Sequence, residues 1–236
     1  MTGVQTCALP ICYPLIGYFA GNNAYTAGLK TPKDLAGKRI AVTQVGSSFH
    51  YSIGLLADKY GFKLADVKIV PLQSLSNAAA ALKGETVDAA LLPVSTARKL
   101  MDDGGAKLLG WVGDETPWQL GAVFTSPKTL TNKALVTKLL AALTRADLEY
   151  YDVILADVVD GKAPINDKTR PLLEIIAKYT NLPVEQVVGN CAYIDADGKL
   201  DVKNVDNQIK WLQGQGFVDK GFDADAIIAK EYVKPD

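Results

Sequence analysis

The sequence of 236 residues predicts an α/β fold whose first half is an open sheet covered by helices. Short apolar runs alternate with stretches of helical periodicity from Arg39 to Gly110, and this alternation is typical of a parallel, doubly wound sheet. Glycine-containing turns separate the runs where such a sheet needs connections. After Pro127 the pattern becomes helical almost throughout. The sequence therefore predicts an α/β lobe followed by a helical region.

The most informative segment runs from Thr31 to Gln73 and predicts strand, turn, helix and strand in that order. A strand is predicted over Lys38 to Thr43, because its centre is a short apolar run that follows a turn. Residues Ser48 to Tyr60 carry apolar side chains at helical spacing, and Gly61 stands where a left-handed cap would end a helix. The next strand is predicted over Val67 to Leu72.

Further elements follow up to a predicted boundary near Gly121 to Pro127. They are a helix over Asn77 to Lys83 capped by Ser76, a strand over Val87 to Leu92, a helix over Thr96 to Asp103, a strand over Lys107 to Val112 and a strand over Leu120 to Thr125. Beyond the boundary, helices are predicted over Thr131 to Asp160 (continuous or interrupted), Asp167 to Tyr179, Pro183 to Val188, Asn204 to Gln213 and Ala224 to Glu231. Their apolar stripes need a partner layer, so we expect Leu135, Leu139, Leu172 and Ile176 to be left partly exposed.

Composition and charge argue against several classes of function. The net charge is −1 and no basic patch is present, which argues against nucleic-acid binding. No apolar run is long enough to span a membrane. Cys191 is the only cysteine beyond residues 1–12, so neither a disulfide nor a cysteine metal site is predicted. His50 is the only histidine and has no nucleophile pattern around it, so no catalytic residue, metal or cofactor is expected.

The first residues, MTGVQTCALPI from Met1 to Ile11, resemble the translation of a common sequencing-adapter oligonucleotide. Every codon of that oligonucleotide matches when GTG serves as the start codon. A signal peptide would need a basic first region and a longer apolar core, and neither is present. We therefore interpret residues 1–12 as an artefactual segment and expect Met1 to Ile11 to pack poorly and to be deletable at little cost in stability. An ordinary N-terminal strand is the alternative.

The turn Gly46-Ser47-Ser48 is the best candidate for a ligand site. It lies where a strand passes into a helix, so backbone N–H groups and two hydroxyls converge on one spot that suits a carboxylate, sulfonate or phosphate. The two serines are also expected to cap the helix. His50 and Tyr51 are further candidates, with a satisfied polar residue beside the site and a member of the apolar stripe as their respective alternatives.

Other candidates stand at the ends of neighbouring elements. Pro93 and Ser95 follow a strand that should end on the same edge, and either Ser95 or Thr96 is expected to cap the next helix. Trp118 and Gln119 supply an aromatic ring and an amide that would suit a small organic anion, with hinge packing as the alternative. Weaker candidates are Tyr18, Asn22 and Asn23.

Two acidic features have structural interpretations. Asp88 is predicted to begin a strand and to bind backbone groups or a helix end. Asp195 to Gly198 resembles the start of a calcium loop, but the required terminal glutamate is missing at its spacing, so a turn is predicted.

The segments DLAGKRIAV, GSSFHYS, VKIVPL and ALKGETVDAALL together resemble the periplasmic substrate-binding proteins of ABC importers. The nearest resemblance is to the nitrate, taurine and alkanesulfonate branch, which includes aromatic-acid binders and thiamine-pyrimidine-precursor proteins. The resemblance covers Leu29 to about Thr125 most strongly and the helical remainder more loosely.

This resemblance implies a type II periplasmic-binding-protein-like fold, in which two α/β lobes with parallel-rich sheets are joined by two crossing segments. Residues 31–119 would be one complete ligand-binding lobe, and residues 13–30 a remnant of the first lobe with the first crossing. Residues 120–236 would be the second crossing and the C-terminal helices of that first lobe. The first lobe would then lack its N-terminal strands, and a signal peptide would have been lost with them.

The same resemblance implies a function without catalysis. The protein would capture a small, anionic organic solute by hinge closure of two lobes and deliver it to an ABC permease in the inner membrane. It would act in the periplasm or as a lipid-anchored extracytoplasmic protein, and as a monomer when complete. Two alternatives stay open: an enzyme similar to the pyrimidine-precursor synthases, whose cysteine-rich motif this chain lacks, and the effector-sensing domain of a transcription regulator.

Overall fold

The computed structural model describes residues 2–7, 15–159 and 161–233 of the chain. These residues divide into two compact units. The five-strand unit contains residues 15–117, and the helical unit contains residues 2–7, 118–159 and 161–233.

The strands of the described residues are β1 (Thr2–Cys7), β2 (Ile16–Ala20), β3 (Arg39–Val42), β4 (Lys68–Pro71), β5 (Ala89–Pro93), β6 (Lys107–Trp111), β7 (Gln119–Val123) and β8 (Tyr193–Ile194). The α-helices are α1 (Asn22–Thr26), α2 (Ser48–Tyr60), α3 (Leu75–Lys83), α4 (Val94–Asp102), α5 (Val112–Glu115), α6 (Pro127–Leu130), α7 (Lys133–Val153), α8 (Arg170–Thr180), α9 (Val184–Val187) and α10 (Val202–Gly214). Short 3-10 helices cover Pro32–Leu35, Leu64–Asp66, Leu155–Asp157, Ala224–Ile227 and Lys230–Tyr232.

The sheet of the five-strand unit has the strand order β4-β3-β5-β2-β6. Strand β3 is parallel to both β4 and β5, with Ile40 opposite Ile69 and Ala89. Strand β2 runs antiparallel to β5 and to β6, so β6 points in the same direction as β3, β4 and β5. The sheet is therefore mostly parallel, and the predicted α/β class is confirmed.

The core of this unit forms where helices α3 and α4 pack on the sheet. Buried side chains from five elements meet there, with the ring of Trp111 edge-on to that of Phe19 at 6.3 Å between centroids. The buried members include Phe19, Ala41, Leu82, Leu92, Ala97 and Leu100. Because side chains alternate along a strand, Ile40 and Val42 point to the opposite face, and both are buried as well. Burial on both faces explains why β3 and β5 carry almost only apolar residues.

The helical unit contains a sheet with the order β7-β1-β8, antiparallel throughout. A small core lies under helix α10, where Val205 and Ile209 pack with Leu200, Ala224 and Ile228. The long helices of this unit bury few side chains. Leu135 and Leu139 each leave 51% of their surface exposed, while Leu172 and Ile176 are half-buried, as the apolar stripes lead us to expect.

Several elements differ from the sequence prediction. The sequence places Ile16–Ala20 outside the complete lobe, but this segment forms strand β2 within the five-strand sheet, where all five residues are buried. Its partners lie far along the chain, and local patterning cannot identify such pairings. The predicted helix over Ala224 to Glu231 is two 3-10 turns. Helix α3 is capped by Ser74 instead of Ser76, since the Ser74 hydroxyl accepts the Asn77 N–H at 3.1 Å.

The expectation of poor packing for the first residues also differs from the structure over Thr2–Cys7. This segment forms strand β1, whose backbone pairs with β7 on one side and β8 on the other. Residues 8–14 lie outside the described part of the chain. Backbone pairing in a sheet makes little demand on side-chain identity, so an extended segment of any origin can take such a place. The adapter origin of the segment stays a prediction.

Within the described residues, no helix is both long and apolar enough to cross a membrane.

Candidate anion-binding corner

The candidate site lies at the carboxyl edge of the parallel strands in the five-strand unit. Strands β3, β4 and β5 end at Val42, Pro71 and Pro93, and helices α2, α3 and α4 begin after them. Carboxyl ends of parallel strands lie at one edge of a sheet, which is where open α/β folds bind ligands. The N-termini of these helices contribute partial positive charge to that edge.

Residues Gly46, Ser47 and Ser48 form the turn from β3 to α2, here called the Ser47–Ser48 corner. Gly46 adopts a left-handed conformation with φ of +79°, which glycine accepts without strain. Ser47 is the N-cap residue of α2, and its hydroxyl accepts the backbone N–H of His50 at 3.4 Å. The predicted capping is therefore confirmed for Ser47. Ser48 is the first residue of the helix and is exposed.

Two backbone amides at this corner have no acceptor within their own helix. The first intrahelical hydrogen bond joins the Tyr51 N–H to the Ser47 carbonyl at 3.0 Å. The N–H groups of Ser48 and Phe49 precede it, as at every helix start. With the exposed Ser48 hydroxyl, they can meet two or three oxygens of a carboxylate, sulfonate or phosphate.

His50 belongs to the corner through its ring. Its Nδ1 accepts the backbone N–H of Gly46 at 3.0 Å, so Nδ1 carries no proton and the neutral ring carries it on Nε2. The side chain is buried, and this burial lowers the pKa of His50 below its ordinary value. The imidazole is therefore neutral and adds no charge of its own.

Tyr51 and the neighbouring Tyr18 are interior residues. Tyr51 is buried, and burial raises the pKa of its phenol. Tyr18 is fully buried on β2, with its hydroxyl 3.4 Å from the Ser52 carbonyl oxygen and 3.4 Å from Thr116 Oγ1. Burial also raises the pKa of Tyr18, so its hydroxyl stays a donor. This donor ties α2 to strand β2, a link that the sequence pattern does not reveal.

The predicted capping of the helix after Pro93 is wrong, whereas the ligand contacts of Pro93 and Ser95 stay predictions. Helix α4 begins at Val94, so Pro93 takes the N-cap position without any side-chain cap. Neither Ser95 nor Thr96 caps the helix, because both already lie within its first turn. Pro93 is half-buried and Ser95 is exposed, and both stand at the same strand edge as the Ser47–Ser48 corner.

Trp118 and Gln119 belong to the helical unit, and both are buried there. The Gln119 side chain accepts the Asp201 N–H at 2.9 Å through Oε1 and donates to the Gly121 carbonyl at 2.7 Å through Nε2. Its backbone N–H donates to Asn204 Oδ1 at 3.0 Å, and its carbonyl accepts Gln208 Nε2 at 2.8 Å. Both ends of the amide therefore bind backbone of their own unit, which gives Gln119 a structural role, and its ligand contact stays a prediction.

The weaker candidates also bind their own unit. Asn22 Nδ2 donates to the Gly104 carbonyl at 2.9 Å, and Asn23 pairs with the Glu85 carboxylate. Asp88 accepts the Arg39 backbone N–H at 2.7 Å and pairs with its guanidinium Nη2 at 2.8 Å, as predicted for a residue that binds backbone at a strand start.

The acidic turn in the helical unit is structural too. Asp195 Oδ1 accepts the N–H groups of Asp197 and Lys199, and Gly198 has a positive φ of 62°. No group of three or more potential metal ligands occurs among the residues that the structure describes.

Comparison with known families covers the residues of the candidate site. A family model described as NMT1/THI5 like matches residues 23–156, which is more than half of the chain. The chain belongs to the NMT1/THI5-like family. No match is found among curated proteins.

Solved structures similar to this NMT1/THI5-like protein share its fold. The periplasmic aliphatic sulphonate binding protein SsuA from Escherichia coli is 20% identical with a TM-score of 0.65, and the alignment covers 96% of this chain and 68% of SsuA. The alkanesulfonate-binding protein SsuA from Xanthomonas axonopodis pv. citri, bound to MOPS, is 21% identical with a TM-score of 0.61, covering 98% and 73%. These similarities confirm the predicted periplasmic-binding-protein-like fold.

An enzyme shares the fold as well. The desulfurization enzyme DszB is 17% identical with a TM-score of 0.61, and the alignment covers 98% of this chain and 77% of DszB. A mutant of DszB in complex with biphenyl-2-sulfinic acid matches equally well. The fold therefore does not by itself separate a binding protein from an enzyme, and the site has to decide.

Proposed function

We propose that this NMT1/THI5-like protein is the substrate-binding component of an ABC importer and that it holds a small organic anion at the Ser47–Ser48 corner. The observation that carries the proposal is the start of α2, where two amides without an intrahelical acceptor and the exposed Ser48 lie beside a neutral imidazole. Two proteins with the same fold bind sulfonates, and MOPS in one of them is itself a sulfonate.

The corner suits an anion for electrostatic reasons. The N-terminus of α2 carries partial positive charge, and the hydrogen bonds that its amides donate to an ionised group are stronger than those to a neutral one. No charged side chain needs to be desolvated when the anion arrives, because the donors are backbone N–H groups and a hydroxyl. Such a site favours reversible capture.

We further propose that the protein binds without catalysis. Cys191, a conceivable nucleophile, is buried, and its thiol lies 3.7 Å from the Val187 carbonyl oxygen and 3.5 Å from that of Val188. Burial raises the pKa of this thiol, which keeps it protonated and unreactive. The proposed partner is an ABC permease in the inner membrane, and the proposed location is periplasmic, as for the E. coli relative. We propose a monomer that does not bind nucleic acid.

Calorimetry with MOPS and with ethanesulfonate tests the site. Replacing both serines (Ser47→Ala with Ser48→Ala) should weaken binding by about 1–3 kcal/mol, the scale of lost hydrogen bonds to a charged group. Ser126→Ala is the matched control, because Ser126 caps α6 in the helical unit by accepting the Thr129 N–H at 3.1 Å. The control removes one helix cap and should leave binding unchanged. Equal affinity for the double variant and the control, with both folded, would rule out the corner as the site.

A further inference from the structure

We infer that His50 is the positioning residue of the Ser47–Ser48 corner, because its ring holds the Gly46 backbone from which the helix start is presented. This inference rests on the proposed function of the corner. It assigns to His50 a role through Nδ1 that differs from direct contact with the ligand.

The hydrogen bonds around His50 form a closed arrangement. Its backbone N–H donates to the Ser47 hydroxyl at 3.4 Å, while its ring Nδ1 accepts the Gly46 N–H at 3.0 Å. The Ser47 N–H in turn donates to the Gln44 carbonyl at 3.2 Å. The residue three positions into the helix therefore reaches back over the N-cap, as glutamate does in a capping box, but its target lies one residue earlier.

The choice of an imidazole for this task has a physical reason. A glutamate at the same place would bring a negative charge within reach of the helix start and would repel an anion there. A neutral imidazole supplies an acceptor without that charge. The His50 side chain is buried and hydrogen-bonded to the turn, which restricts its ring to one orientation and pre-positions the acceptor.

The conformation of Gly46 explains why its hydrogen bond to His50 affects the shape of the turn. With φ of +79°, Gly46 turns the chain sharply before Ser47, and the hydrogen bond to His50 fixes the peptide plane at that turn. Loss of the bond would release the turn while leaving the body of α2 intact, because residues Ile53 and Leu56 anchor that helix in the core. The expected effect is a looser corner on a folded protein.

Two amide variants separate the roles of the two ring nitrogens. In His50→Asn the amide oxygen takes roughly the place of Nδ1, and in His50→Gln the amide group extends to roughly the place of Nε2. Positioning through Nδ1 predicts that His50→Asn keeps the affinity for MOPS, whereas His50→Gln and His50→Leu weaken it by about three- to tenfold. The reverse order, with glutamine retaining affinity and asparagine losing it, would show direct contact through Nε2 and overturn the inference.

A second readout does not need the ligand. Amide hydrogen exchange followed by NMR should show the Gly46 N–H exchanging about tenfold faster in His50→Leu than in the original protein, with His50→Asn close to the original. Unchanged exchange at Gly46 in all three variants would overturn the inference even if MOPS binds. Conversely, faster exchange in His50→Leu without any binding of MOPS or ethanesulfonate to the original protein would leave the positioning bond established and reject the proposed anion site.

Discussion

At the scale of single residues, two polar side chains of the corner form hydrogen bonds with backbone N–H groups of the protein itself. Ser47 caps α2, and His50 holds Gly46. From residue type alone, each of them could be either a structural or a binding residue. The hydrogen-bond geometry shows that both have a structural role. The same kind of geometry gives Gln119 a structural role, because its amide binds backbone groups at both ends. A sequence motif gives the chemical type of a side chain, but its direction depends on packing with distant elements.

The neutral state of His50 predicts a pH dependence of stability. Burial lowers the pKa of His50 in the folded protein below its ordinary value of about 6.5. As the pH falls through about 6.5, the unfolded chain therefore binds a proton that the folded protein does not, and the free energy of unfolding decreases. The contribution is fully present above about pH 7 and is lost on acidification.

Urea unfolding between about pH 7.5 and 5.5 measures this effect. His50 is the only histidine, so His50→Asn should flatten the decline over this range. A decline of the same size in His50→Asn would assign it to carboxyl groups and contradict the prediction.

At the scale of elements, prediction succeeds where the signal is local. Helix α2 is predicted over Ser48 to Tyr60 and has those bounds, because a capping serine begins it and Gly61, at φ of +73°, ends it. Strand β2 escapes prediction, because its neighbours β5 and β6 lie far along the chain and only tertiary pairing defines it. Helix α4 starts at Val94, two residues before the predicted start at Thr96. The reason is that Pro93, a residue type that usually interrupts secondary structure, serves here as the N-cap.

An ion pair at the opposite edge of the same sheet joins the starts of two strands. Asp88 precedes β5 and accepts both the backbone N–H and the guanidinium of Arg39 at the start of β3. The guanidinium holds the pKa of the Asp88 carboxyl below its ordinary value. Asp88→Asn should lower the free energy of unfolding by about 1–3 kcal/mol, as expected for hydrogen bonds to a charged acceptor.

Asp103→Asn is the matched comparison for Asp88→Asn. Asp103 faces Lys83 at 3.9 Å with both side chains largely exposed, and exposed pairs contribute less than about 1 kcal/mol. Chemical denaturation of both variants measures the two effects. Equal losses would show that the Arg39 backbone contact adds nothing beyond a surface ion pair.

At the scale of the whole molecule, the two units differ in how deeply their helices are buried. Helix α2 of the five-strand unit buries eight of its 13 residues, whereas α7 of the helical unit buries two of its 21. Phe124 and Tyr179 of the helical unit are each about 80% exposed. The sequence indicates this contrast through apolar stripes that have no strand pattern to pack against, and it identifies Leu135 and Leu139 as partly exposed, but it does not indicate the exposure of Phe124 and Tyr179.

Hydrogen exchange should reflect the difference between the units. We expect amides of β3, β5 and α2 to exchange more slowly than those of α7 and α8, since slow exchange requires opening of a well-buried structure. Mass spectrometry of peptides from the folded protein measures both sets in one experiment. Uniform protection across the two units would contradict the prediction.

The amides around Gln119 have a consequence for how the protein meets other chains. Strand β7 lies at the margin of its three-stranded sheet, where a second strand could add by backbone pairing. Asn204 and Gln208 of α10 already occupy the N–H and carbonyl of Gln119, and Gln208 also donates to Asn204 at 2.8 Å. An incoming strand would have to displace the hydrogen bonds of Asn204 and Gln208 before it could form its own first backbone hydrogen bond with Gln119. The side-chain amides of Asn204 and Gln208 thus hinder the addition of another chain's strand at the point where β7 begins.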